Sequence, residues 1–156
     1  MSPLYAVEAV RFNSSGGACD CVVHRVYAFW RRWRDSGLIT ELHDRLRGKV
    51  RERAGRDPEP TAGVIDSQSV KADAVVGAGS RGYDGAKKIN GRRRHLICDT
   101  IGLLLAIRVL PADVTDRQAA TDMLPALRTR FPTVTKLWAD SGYTGVLVTW
   151  TLPCCS

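Results

Sequence analysis

Two stretches, Ala62-Gly-Val-Ile-Asp-Ser-Gln-Ser-Val-Lys71 and Lys136-Leu-Trp-Ala-Asp-Ser-Gly-Tyr-Thr-Gly145, decide how this chain folds. In each, a short apolar or β-branched run ends on an aspartate, Asp66 or Asp140, and small polar residues follow. Such a run reads as a strand that delivers an acid to a sheet edge. Two acids delivered in this way can share divalent metal. Between them lies Gly82-Tyr-Asp-Gly-Ala-Lys-Lys-Ile-Asn-Gly-Arg-Arg-Arg-His95. Carboxylates beside clustered Lys and Arg point to a metal-dependent reaction on a polyanion, and nucleic acid is the obvious one.

Working outward, Ala62 to Val70 is a first strand and residues 72 to 91 a long Gly-rich excursion. Arg93 to Asp99 and Leu103 to Leu110 are two further strands, and the short turn Thr100-Ile-Gly102 predicts that they form an antiparallel hairpin. A helix starts near Asp116 with Ala119, Ala120, Met123, Leu124 and Leu127 on one side, and Pro125 is expected to kink or divide it. Thr135 to Ala139 is a fourth strand that ends at Asp140. The order β, β, β, α, β with acids on the first and fourth strands predicts an α/β chain with a ribonuclease-H-like (retroviral-integrase-like) fold, present in part. In that fold the two acid-bearing strands lie side by side.

Upstream, Val26, Tyr27, Trp30 and Trp33 give a helix with an aromatic face, which reads as core, and Gly37 ends it. Leu38, Leu42, Leu46 and Val50 recur every four residues in a second helix that stops at Gly55 and the prolines 58 and 60. The expected organisation is therefore residues 1–21 poorly ordered, 22–55 a helical hairpin, 56–61 a linker, 62–150 the first part of the main domain and 151–156 a divergent tail.

The 156 residues are 44% hydrophobic and 25% charged, the composition of a globular protein rather than of a disordered or membrane-spanning one. The longest apolar stretch, Ile101 to Leu110, is broken by Arg108 and falls well short of the roughly 20 residues that span a bilayer. No basic-then-apolar leader opens the sequence, so the cytoplasm is the expected compartment and no membrane partner is expected. Five cysteines, with Cys19 near Cys21 and Cys154 next to Cys155, form neither a disulfide framework nor a zinc-finger spacing. They read as reduced thiols. The net charge of +7 favours anionic partners, and six basic residues against Asp84 between Arg81 and His95 gather the surplus into one patch.

The words Ile65-Asp-Ser-Gln-Ser-Val-Lys71, Gly82-Tyr-Asp84, Lys87-Lys-Ile-Asn-Gly-Arg-Arg-Arg-His95, Asp99-Thr-Ile-Gly-Leu103, Pro111-Ala-Asp-Val-Thr-Asp-Arg117 and Trp138-Ala-Asp-Ser-Gly-Tyr143 resemble, in order, the DDE transposases of bacterial insertion sequences. The nearest likeness is to the insertion-sequence-five group, and it runs from about Val26 to about Trp150. The resemblance implies cleavage and strand transfer at insertion-sequence ends by two-metal phosphoryl transfer, with Mg2+ or Mn2+ as cofactor. It makes Asp66 the first catalytic, metal-binding acid and Asp140 the second. The implied partners are DNA, both terminal repeats and target, and a full-length transposase through self-association, in a bacterial cytoplasm. The family's third acid, a glutamate on a later helix, has no counterpart in this sequence. The resemblance thus leads to the expectation of a truncated copy, inactive in isolation. The alternatives are a non-catalytic fragment that binds DNA or transposase and interferes with intact copies, or a relic without function.

The remaining polar residues are weighed against plainer roles. Asp99 fits a hairpin turn, and Asp113 and Asp116 fit helix capping. Ser67 and Ser69 have no paired base in sequence reach, so neither is a candidate nucleophile. The expected DNA contacts are Lys71, Lys87, Lys88, Arg92, Arg93, Arg94 and His95, with glycines at 82, 85 and 91 letting the backbone approach phosphate. For the basic run the plainer role is a solvated hairpin face. For His95, positioning DNA and serving as a satisfied structural histidine both remain open.

Overall fold

The computed structural model describes residues 20–143 and divides into two compact units at Pro58. The expectations for residues 1–19 and for 144–156, including the tail, lie outside the described residues.

In the first unit, α1 spans Asp20–Asp35 and α2 spans Leu38–Arg53. Gly37, at φ 75°, makes the break between them in a left-handed conformation that costs other residues more. On α1 the Tyr27 and Trp30 rings stack with centroids 5.6 Å apart, and the Arg34 guanidinium lies 5.0 Å from the Trp30 centroid. Trp33 is half exposed, as are Leu38, Leu42, Leu46 and Val50. At Trp33, which meets Phe29 with ring centroids 6.1 Å apart, the aromatic face of α1 is thus only half covered among the described residues.

The second unit is mixed α/β. Its strands are β1 (Ala62–Lys71), β2 (Gly82–Asp84), β3 (Ile89–Asp99), β4 (Leu104–Pro111) and β5 (Lys136–Ala139), and α3 is Asp116–Arg130. They form one five-stranded mixed sheet around β3. β1 pairs antiparallel along β3 from Gly63↔Asp99 to Lys71↔Gly91. β4 pairs antiparallel on β3's other side, after a turn in which Asp99 Oδ1 accepts from the N–H groups of Ile101 (3.0 Å) and Leu103 (2.8 Å). Asp99 is the turn residue that its sequence context implied. β2 adds a short hairpin to the start of β3, so part of the excursion over 72–91 is regular structure. The three-residue strand was too short to carry a readable alternation.

β5 runs parallel to β1 with Ala62↔Lys136, Gly63↔Leu137, Val64↔Trp138 and Ile65↔Ala139 in register. The crossover from β4 to β5 is α3, which packs Ala120, Met123 and Leu127 onto Ile65, Ile97, Leu105 and Ala106. Phe131 and Tyr143 close that core at its ends. α3 opens with a capping box in which the Thr115 side chain accepts from Gln118 N–H and the Gln118 side chain accepts from Thr115 N–H. Thr115, not Asp113 or Asp116, is therefore the cap. Pro125 does not divide α3, which continues to Arg130.

Candidate functional site

The parallel register sets the first feature of the site. Ile65↔Ala139 is the last pair, and the next residue in each segment is an acid, Asp66 within β1 and Asp140 just past the end of β5. Both are exposed. Each carboxylate has one oxygen fixed by nearby backbone: Asp66 Oδ1 accepts from Ser67 N–H at 2.7 Å, and Asp140 Oδ1 from Gly142 N–H at 2.9 Å. A pair of carboxylates held in this way suits a hard, oxygen-liking divalent cation that keeps several waters. Among the described residues, no group of three His, Cys, Asp or Glu side chains is gathered as a ready metal cage.

The basic run splits in two, because successive residues of a strand face opposite sides. Gly91, Arg93, His95, Ile97 and Asp99 point toward α3, whereas Arg92 and Arg94 point to the other side. On the α3 side, Arg93 joins a buried network. Its guanidinium pairs with Asp84 Oδ2 and, at 3.2 Å each, with Asp116 Oδ1 and Ser69 Oγ. Ser69 Oγ in turn donates to Asp84 Oδ2 at 2.5 Å. The bonds from Ser69, together with Arg93 and the N–H of Lys87, hold the Asp84 carboxyl well below its ordinary range despite burial.

His95 lies in the same interior. It is 0% exposed, and neither ring nitrogen has a hydrogen-bond partner, although Nδ1 is 3.6 Å from Asp116 Oδ1. Burial holds its imidazole down at about 4, Arg93 and Arg108 push the same way, and Asp116 opposes them. Tyr143 closes the cluster. Burial drives its hydroxyl far above the usual range, and the charges of Asp116, Asp140 and Asp66 add to the effect, against a pull from Ser67. His95 is enclosed, whereas Arg93 is only partly so and lines an open depression with Thr115, Asp116 and Gly142.

The outward residues make a different surface. Arg94 donates to Gln68 Oε1 at 2.5 Å, and Arg92 Nη2 donates to Ser80 Oγ at 2.7 Å. Together with Lys71 they edge an open depression floored by Val70 and Val109. Lys87 and Lys88 are exposed in the turn between β2 and β3, with Lys88 at φ 53°. Two of the three glycines expected to admit phosphate are filled by the protein itself. A Cβ at Gly91 would lie 2.0 Å from Val70 O, and one at Gly82 would lie 1.8 Å from Asp113 Oδ1. Only at Gly85 is the space open.

The family described as Transposase DDE domain matches residues 57–151, more than half of the chain. The chain belongs to the DDE transposases. Comparison with curated proteins and with solved structures finds no match. The matched segment holds Asp66, the basic run and Asp140, so the site described above lies wholly within the transposase domain. Transposases of this family generally use divalent metal ions and have DNA as their partner. No helix among the described residues is long and apolar enough to cross a membrane. Sequence reasoning assigned no role to Asp84 and gave Asp116 to capping. The legible signal was the period-2 alternation of β3, which puts Arg93 and His95 on the face of Ile97 and so requires buried acidic partners.

Proposed function

We propose that this transposase domain carries the first two acids of an insertion-sequence-five-group DDE site, Asp66 and Asp140, on a ribonuclease-H-like sheet. The preceding α1 and α2 would be a helical hairpin, joined to it by a linker over 56–61. The parallel register of β1 with β5 carries this reading, because it brings together acids 74 positions apart in sequence. A bound Mg2+ or Mn2+ pair would activate the attacking water or 3′-hydroxyl and stabilise the leaving oxygen. Asp66 and Asp140 would hold the ions through carboxylates that the N–H groups of Ser67 and Gly142 orient. Lys71, Lys87, Lys88, Arg92 and Arg94 hold the phosphate backbone of terminal-repeat and target DNA without reading sequence. Arg93 and His95, the other two expected contacts, lie on the α3 side, where Arg93 also holds Asp84 and Asp116.

The family's third carboxylate follows its second acid, and no acid follows Asp140 within these 156 residues. Supplied alone, the chain binds DNA and metal but cleaves orders of magnitude below a complete site, since one well-placed electrostatic partner is worth roughly 3–4 kcal/mol in the transition state. The test uses the purified 156-residue chain, Mn2+ and a duplex taken from the DNA flanking its coding region. Manganese line broadening in NMR spectra is expected to centre on Asp66 and Asp140, with no efficient cleavage. Broadening centred on Asp99 or Asp113 overturns the site. Efficient cleavage that Asp66→Asn abolishes would show that acids among these residues complete the site.

A further inference from the structure

We infer that Asp116 is a carboxylate ligand beside Asp140, the two sharing a divalent ion across Gly142. The inference rests on the reading of Asp140 as a metal ligand and adds a ligand that the two-strand register does not supply.

Three observations carry it. First, Asp116 is free of capping work, because Thr115 and Gln118 satisfy the start of α3. Its side chain turns toward the sheet, where Oδ1 is held by Arg93 Nη1 at 3.2 Å. Oδ2 is left facing Gly142. Second, an added Cβ at Gly142 would lie 3.0 Å from Asp116 Oδ2 and 3.0 Å from Asp140 Oδ1. The two carboxylates straddle that glycine, no further apart than twice this distance. A hard cation bonds oxygen at roughly 2.0–2.6 Å, so one ion can bridge the gap after a small adjustment. Without an ion, two carboxylates so placed repel, and Arg93 is already shared with Asp84.

Third, His95 is wholly buried with both ring nitrogens unpaired, and Nδ1 faces Asp116 Oδ1 from 3.6 Å. A buried unsatisfied polar group costs about 1–3 kcal/mol, so an interior keeps one only where something compensates. Drawing Asp116 onto an ion lets His95 close on Oδ1 as an N–H donor. Arg93 and His95 then orient the ligand from behind, as outer partners commonly do for metal-binding carboxylates. Solvent reaches the place through an open depression lined by Arg93, Thr115, Asp116, Arg117, Gln118 and Gly142. Asp140 belongs to two neighbouring pairs, with Asp66 on the adjacent strand β1 and with Asp116 across the glycine, rather than to a closed triad.

The test is Mn2+ affinity of the 156-residue chain, read by electron paramagnetic resonance of the free ion, with thermal melting as the control for folding. Asp116→Asn is expected to weaken binding tenfold or more. Because this change also loosens Arg93, Gly142→Ala is the deciding variant: it keeps Arg93, Asp116 and Asp140 and puts a methyl group between the two oxygens, 3.0 Å from each. A tenfold loss in Gly142→Ala with a near-unchanged melting temperature supports the inference. Unchanged affinity in Gly142→Ala overturns it, whatever Asp116→Asn does. The underlying reading fails separately, and is recognised by Mn2+ affinity that neither Asp66→Asn nor Asp140→Asn alters.

Discussion

Arg93 and Arg94 are neighbours in sequence with the same side chain, yet the sheet gives them opposite lives. Arg93 faces α3, pairs with Asp84 and Asp116, and is largely enclosed; Arg94 faces outward, bonds the exposed Gln68 and stays wet. The same division separates His95 from Arg92. A run of four basic residues is thus two half-sites, one that builds the scaffold behind the acids and one that meets solvent and its anions. Charge counted along a strand overstates a surface patch about twofold, since alternate residues leave for the other face.

The largest expected effect breaks this comparison directly. Arg93→Ala leaves Asp84 and Asp116 as buried or half-buried charges without their shared partner, and removing one member of such a network costs about 3–5 kcal/mol. Arg94→Ala removes an exposed bond, worth less than about 1 kcal/mol. Urea denaturation of the two variants measures both. Equal losses would mean that the two faces are not different in kind.

A second test concerns His95, which faces Asp116 on α3, Arg93 on its own strand and Arg108 on β4. Its pKa is depressed from 6.5 to about 4 in the folded chain. Above pH 6.5 the imidazole is neutral in both states, and the contribution is fully present. Between 6.5 and 4 the unfolded chain takes up a proton that the folded chain refuses, so stability falls as pH falls. The loss levels off near pH 4, at up to about 3 kcal/mol from roughly 1.4 kcal/mol per pKa unit. Metal-free denaturation across this range is the measurement, and His95→Leu is expected to flatten the slope. An unaltered slope in that variant would place the acid sensitivity elsewhere.

Much of the frame could be read from the residues. The apolar runs that end at Asp66 and Asp140 marked β1 and β5, and Thr100-Ile-Gly102 marked the β3–β4 turn, because these signals are local. Asp116 was misjudged for the opposite reason. An acid before an apolar run looks like a cap, and only the structure shows Thr115 and Gln118 satisfying that end. Gly142 was equally silent, since its meaning is the space between two carboxylates from different elements. β2 escaped notice because its pairing with β3 fixes it more than its own three residues do.

The smallest expected effect sharpens the outward half. If Lys71, Lys87, Lys88, Arg92 and Arg94 meet about four phosphates, log affinity for duplex DNA falls with log salt at a slope near −3.6, from roughly −0.9 per contact. Replacing Lys87 and Lys88 together by Gln should bring the slope toward about −1.8, with little dependence on DNA sequence, because phosphate contacts position a protein without reading bases. Arg92→Gln or Arg94→Gln should remove about 0.9 each, or less where their bonds to Ser80 and Gln68 persist in the complex. The inward comparison is His95→Leu, which leaves no phosphate contact to lose and should keep the slope. Fluorescence anisotropy on one duplex from low to moderate salt resolves changes of this size. A slope that responds to His95→Leu but not to Lys87 and Lys88 would mean that DNA approaches from the α3 side, and the division between the two faces would be the reverse of the one drawn from the strand.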